Sequence, residues 1–299
     1  MESSVLKIEG FGYSGEIRTQ GSKLASLSYK GRNLIEPYNE VDTRNLFSGD
    51  VLAPWPNRLA SGKYLVRGHE YSAPINESSR DNALHGLVYK NLWRCSWKSK
   101  SACILETTLQ PSKAYGFQLD FQSKFELTEE GLFWRISATN RSSDSAPYGV
   151  SIHPYLVADE NSLVDSWMMQ FPARRYLEVD PIRLLPTNTY DSSYRQFEFS
   201  QLRKVGDLEI DHAFLIDRNC EESYIDLLAP TGNGVRMKFG SEANWIQIHT
   251  ADRDGASDGR KSMAVEPMTC PPDAFNSGRD LVWLSEGQKH SAIWNLAAL

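Results

Sequence analysis

Hydrophobic and polar residues alternate with a period of two along much of this chain, in short runs separated by Gly, Asn, Asp and Ser. Such alternation places apolar side chains on one face of an extended strand and polar ones on the other. The runs 15–19, 24–29, 63–66, 103–109, 119–127 and 132–140 read as strands on this criterion. The runs 213–216, 224–228, 235–239, 245–249, 281–284 and 290–295 do so as well. Glu129-Glu130-Gly131 and Gly232-Asn233-Gly234 fall between such runs and predict hairpin turns. A single helical turn is predicted over 271–277, opened by Pro-Pro-Asp and closed by Gly278. Many strands and few helices predict an all-β fold, a large antiparallel sandwich or barrel. No Pro- or Gly/Ser-rich linker and no change of composition divides residues 1–299, so one domain is expected. The polar segment 252–261 reads as a surface loop.

Composition narrows the class of partner. A net charge of −6, without a dense Lys/Arg block, argues against nucleic acid or an anionic membrane surface. The first residues lack a basic region followed by a long apolar stretch, and no window reaches the length of a membrane span. The expectation is therefore a cytoplasmic protein, a monomer or weak dimer, that acts on a small molecule. Cys95, Cys103, Cys220 and Cys270 form no CxxC pair and are expected as reduced thiols. Asn76-Glu77-Ser78 and Asn140-Arg141-Ser142 match a glycosylation pattern, which the same absence of an export signal makes idle.

Candidate chemistry gathers where apolar runs stop at an ionisable residue. Tyr148-Gly149-Val150-Ser151-Ile152-His153-Pro154-Tyr155-Leu156 reads as a buried strand ending at a histidine, whose following proline biases it toward extended backbone. Flanked by Tyr148 and Tyr155, that imidazole can face a pocket and exchange protons near neutral pH, or lie hydrogen-bonded in the core. Met263-Ala264-Val265-Glu266-Pro267-Met268 repeats the pattern with a carboxylate. His153 and Glu266 could supply the acid and base of one site. Asn57 and Arg58 follow Pro54-Trp55-Pro56, a stiff loop that would present donors and an acceptor to sugar hydroxyls. The alternative is Arg58 paired to a carboxylate and Trp55 packed in the core. His85 precedes Gly86, which permits a close turn, and Asp211 precedes an apolar run, where it could accept hydrogen bonds from ligand hydroxyls or cap a turn. His69, His212, His249 and His290 have no comparable setting and read as structural or surface residues. No HExxH or close HxH pair points to a metal, no GxSxG to a serine triad, and no Gly-rich loop to a phosphate.

Taken together, Asn57-Arg58 with Gly62, Leu84-His85-Gly86, His153-Pro154-Tyr155, Asp211, and Glu266-Pro267 with Asp273-Ala274-Phe275 resemble the aldose 1-epimerase (mutarotase) family. The motifs occur in the family's order and span roughly residues 50 to 280. The resemblance implies a galactose mutarotase-like β-sandwich, a supersandwich with an open groove for a hexose and no cofactor or metal. It also implies His153 as general acid and Glu266 as general base, with Asn57, Arg58, His85 and Asp211 holding the sugar. On reference pKa values the carboxylate–imidazolium form is expected, with activity lost toward acid through Glu266 and toward base through His153. Pro54-Trp55-Pro56 and Leu156 depart from the galactose-specific pattern, so the resemblance implies the reaction and leaves the sugar open. Rival readings are a hexose 6-phosphate epimerase with extra basic residues at the groove, a glycoside hydrolase using Asp211 with Glu266, and a sugar-binding module without catalysis.

Overall fold

The computed structural model describes residues 3–40, 47–217, 223–252 and 259–299; Cys220 and residues 253–258 of the polar segment lie outside the described residues. Within them, two large antiparallel sheets carry the fold. The larger runs, in hydrogen-bonded order, Arg94–Lys98, Ala102–Leu109, Leu119–Thr128, Gly131–Asn140, Lys289–Ala298, Gly234–Phe239, Ser223–Leu228, Met168–Gln170 and Arg203–Lys204. The smaller runs Tyr155–Leu156, Met263–Met268, Trp245–His249, Asp211–Ile216, Ala173–Val179 and Pro186–Asp191. A meander of Val5–Gly10, Tyr13–Arg18, Lys23–Tyr29 and Arg32–Asn33 abuts the larger sheet, where Glu9 N–H donates to Lys100 O at 2.7 Å.

Period-two patterning accounts for these strands. In Leu119–Thr128 every second residue is buried, and Phe121 and Phe125 point into the core with Trp134 paired opposite Phe125. Glu129-Glu130 closes that hairpin, as expected, with Thr128 in register with Gly131. One continuous apolar core joins the two sheets. It contains Phe121, Phe125, Trp134, Ile136, Trp294 and Leu296 from the larger and Tyr176, Phe214, Ile246, Ile248 and Val265 from the smaller. Burying each such side chain contributes roughly 1.5–3 kcal/mol. The Trp294 indole N–H crosses the sandwich to Pro267 O at 3.1 Å, tying the larger sheet to the strand that carries Glu266. Among the described residues the α-helix is Ala274–Ser277, inside the expected turn, and Gly278 at φ +69° closes it by donating to Ala274 O. Cys95, Cys103 and Cys270 are free thiols.

One expected strand is corrected. The stretch 148–156 is broken into three pieces that pair with three partners: Ala146–Tyr148 with Val282–Leu284, Ser151–Ile152 with Val51–Leu52, and Tyr155–Leu156 with Met263–Met268. Gly149 makes the first break possible, since a Cβ there would lie 2.3 Å from the Cys270 sulfur. Tyr148 consequently turns into the core beside Phe121 instead of flanking a pocket.

Candidate active site

The face of the smaller sheet turned away from the main core forms the floor of the site. Strand alternation puts Glu266, Gln247 and Ala213 side by side in one cross-strand row, and Ala264, His249 and Asp211 in the next. A third row, Met268, Trp245 and Leu215, packs with Leu177 into a separate apolar cluster at one end. Tyr155 extends the floor at the other side, in register with Ala264.

His153 and Glu266 meet there. His153 Nε2 lies 3.1 Å from Glu266 Oε1, with both side chains almost wholly buried. Tyr155 stacks on the His153 ring at a centroid distance of 5.2 Å and 25°. The His153 peptide is gripped on both sides, its N–H donating to Asp50 O at 3.1 Å and its carbonyl accepting from Gly49 N–H at 2.8 Å. Burial pushes the His153 imidazole down to about 3, with His249 and Lys23 adding to the effect and Asp211 opposing it. Burial pushes the Glu266 carboxyl well above its ordinary value, as does the Asp211 charge, against a weaker opposing pull from Arg58. Both shifts run against the carboxylate–imidazolium form expected from reference values and toward an uncharged pair that shares one proton between Oε1 and Nε2.

His85 stands at right angles to His153, ring centroids 5.1 Å apart. Two left-handed residues build this corner, Asn57 at φ +56° and His85 at φ +63°. His85 N–H donates to Asn57 O at 2.9 Å, and Asn57 N–H donates to His85 Nδ1 at 3.2 Å. Gly86 allows the close approach, because a Cβ there would fall 2.1 Å from Ala53 O. Burial, with His153 and Arg58 nearby, holds His85 well below its usual range, so the ring is neutral. With Nδ1 accepting, the proton of that neutral ring sits on Nε2 and is offered to the pocket.

This tautomer bears on metal binding. One donor atom each from His85, His153 and Glu266 lie within 4.8 Å of one another. A metal needs a lone pair from each ligand, and His85 Nε2 presents a hydrogen instead. The triplet fits a ligand that accepts a hydrogen bond from His85, such as a sugar oxygen.

Arg58 is held from behind. Its Nε and Nη2 bind the Glu77 carboxylate at 3.1–3.3 Å, and Nη2 also lies 3.8 Å from Asp211 Oδ2. Asn57 Oδ1 accepts from Arg58 N–H at 2.8 Å, and Asp273 N–H donates to Arg58 O at 2.8 Å. Asp211, a third exposed, accepts from Gln247 Nε2 at 2.6 Å. Burial would raise its carboxyl, but Arg58, His249, His212 and the Gln247 hydrogen bond together hold it below the ordinary range. Trp55 is core: it packs against Tyr64 and Phe275 at 6.4 and 5.5 Å, so the stacking alternative falls away.

All six residues singled out by sequence, His153, Glu266, Asn57, Arg58, His85 and Asp211, thus converge. The sequence reading missed Glu77, whose only local signal was an idle glycosylation triplet, and Gln247, which sits in an ordinary alternating strand. It also placed His249 with structural or surface residues, whereas His249 shares the floor, in register with Asp211. His212, on the opposite face, packs on Tyr176 and Phe197 as expected.

Comparison with known proteins agrees with this geometry. The sequence profile of the aldose 1-epimerase family matches residues 4–297. The uncharacterized protein YihR of Escherichia coli K12 is 35% identical over 285 residues, 95% of this chain and 90% of that protein. The GalM/aldose epimerase homologue from C. elegans shares the fold with a TM-score of 0.86 at 16% identity, covering 100% of this chain and 99% of that one. A galactose 1-epimerase from Lactobacillus acidophilus NCFM does so with a TM-score of 0.79 at 17% identity, again over 100% and 99%.

Proposed function

The chain belongs to the aldose 1-epimerase family, an isomerase family with the galactose mutarotase-like sandwich, and we propose that it interconverts the α and β anomers of a free aldohexose at His153 and Glu266. The observation that carries this reading is the 3.1 Å contact between His153 Nε2 and Glu266 Oε1. The anomeric hydroxyl and the ring oxygen are bonded to one carbon, so an acid and a base that reach both must themselves be neighbours. A hydrolase instead needs its two carboxyls spaced about the scissile bond, at roughly 5 Å or more. Here Asp211 is engaged by Gln247 and Arg58.

The chemistry follows from one shared proton. The uncharged pair and the carboxylate–imidazolium pair contain the same number of protons and differ only in which atom holds one. Sugar oxygens hydrogen-bonded in the pocket favour the charged form. In that form Glu266 takes the proton of the C1 hydroxyl while His153 gives its proton to the ring oxygen. The C1–O5 bond breaks, leaving an open-chain aldehyde. Rotation about C1–C2 and the reverse transfers close the ring on its other face and return both protons to their starting atoms. His85 Nε2–H and the Arg58 guanidinium donate to sugar oxygens, and Asp211 accepts from hydroxyls. Arg80 and Arg183 near this corner face Glu77 and Asp81, at 3.7 and 3.1 Å, which favours an uncharged sugar over a phosphate.

Polarimetry tests the reading. Fresh α-D-glucose or α-D-galactose should relax to anomeric equilibrium faster with catalytic protein and without added metal or nucleotide. Acceleration confined to hexose 6-phosphates would replace the free sugar by the phosphate, and none with any aldose would remove the reading.

A further inference from the structure

Beneath His153 lies an ion pair that the proton transfers do not use. Lys23 and Asp50 are both buried, and Lys23 Nζ binds Asp50 Oδ2 and Ser48 O, each at 2.9 Å. The ammonium also sits 4.2 Å above the Tyr38 ring. The loop it grips continues directly into the two backbone hydrogen bonds that hold His153, from Gly49 N–H and to Asp50 O. Gly49 is itself locked, since Leu24 N–H donates to its carbonyl at 2.8 Å and its φ of +72° brings it where a Cβ would meet Leu24 O at 2.0 Å. Phe47, at the start of the same loop, packs edge-on against His85 at 4.6 Å. One buried charge pair therefore underpins a loop that touches both pocket imidazoles.

We propose that Lys23 and Asp50 are positioning residues for His153, clamping its peptide through the loop that carries Gly49 and Asp50. This rests on the acid role of His153 proposed above. A buried ion pair adds little net stability over well-packed apolar residues of similar size, so stability alone gives it no reason to be here. Its placement does. Among the described residues, the charged and titratable groups facing His153 are Glu266 and His85 in the pocket, Tyr155 stacked on its ring, His249 and Asp211 on the floor, and Lys23. Of these, His249 and the Lys23 ammonium oppose a positive charge on His153, and Asp211 favours one. Burial pushes Asp50 up to about 7, so toward acid pH the ammonium acts with less compensation.

The test uses Lys23→Met and the double variant Lys23→Met/Asp50→Leu, which buries no unpaired charge and carries the test if the single variant does not fold. A displaced imidazole should lower kcat by about tenfold or more and leave KM within about twofold. The acid limb of the pH profile should move to higher pH, because a positive charge near His153 has gone. Amide exchange at His153 and Gly49 should quicken while that of Phe125, in the larger sheet, stays unchanged. A folded double variant with wild-type kcat, acid limb and exchange at His153 and Gly49 would overturn the proposal. If the wild-type protein accelerated no anomerisation, the function would be withdrawn and the exchange rates alone would decide the clamp.

Discussion

At the scale of single residues, His153 and Glu266 differ from their free counterparts in opposite directions for the same reason: dry surroundings penalise charge on either. Glu266→Gln keeps the shape but cannot take a proton, and His153→Asn removes the titrating ring. Each should lower kcat by about 10² or more in a protein that folds normally by circular dichroism. Near-wild-type kcat in either variant would remove that residue from its role. The pH profile carries a second signature. With His153 depressed to about 3 and Glu266 raised, the pair gains a second proton only toward pH 3 and loses its one proton only above the ordinary carboxylate range. Activity should therefore persist well below the usual histidine midpoint of about 6.5 while the fold holds, the limbs being exchanged from the reference order. An acid limb in the ordinary carboxylate range with a basic limb near 6.5 would show solvated, ordinary groups in the reference order instead.

At the scale of elements, the corner formed by Arg58–Ala60 paired with Asn82–Leu84 presents His85 by way of two left-handed residues and Gly86. Gly86→Ala has no room for its methyl and an unfavourable φ of +70°. It should lower the melting temperature and raise KM several-fold, through a displaced His85 Nε2–H, while kcat changes less. Wild-type KM would show that the corner yields without moving the ring. Such corners bear on what sequence reveals. Strands with clean alternation, such as Leu119–Thr128 and Lys63–Val66, are legible because one face is buried. Ala173–Val179 is not, because adjacent Arg174 and Arg175 break the period where the ladder itself shifts register. Pro186–Asp191 is mostly polar and opens with proline, as an edge strand can, so no apolar face marks it. Of the site, the residues set against Pro or Gly were visible as motifs. Glu77, Lys23 and Asp50 were not, because their significance lies in partners distant along the chain or in backbone contacts.

At the scale of the whole molecule, the site is an assembly of distant segments. Lys23 and Asp50 come from the N-terminal part, Asn57 and His85 from the residues flanking the Arg58–Ala60 and Asn82–Leu84 pair, His153 from the link between Ser151–Ile152 and Tyr155–Leu156, and Asp211 and Glu266 from two strands of the smaller sheet. That sheet orders its neighbours out of sequence, with Tyr155–Leu156 beside Met263–Met268, and depends on the far sheet through the Trp294 bond to Pro267. Contacts so far apart along the chain require large loops to close before they are rewarded, which slows folding. The local hairpins of the larger sheet, Ala102–Leu109 with Leu119–Thr128 and Gly131–Asn140, have no such cost. After dilution from denaturant, burial of Trp134 should precede recovery of anomerase activity, a lag visible when fluorescence and polarimetry are followed together. Simultaneous recovery would mean that the two sheets form in one step. Because Tyr155–Leu156 can extend the smaller sheet only once Met263–Met268 has arrived, a nascent chain released before that point holds its histidine without its glutamate. The proposed acid and base therefore meet only after synthesis has passed Met268.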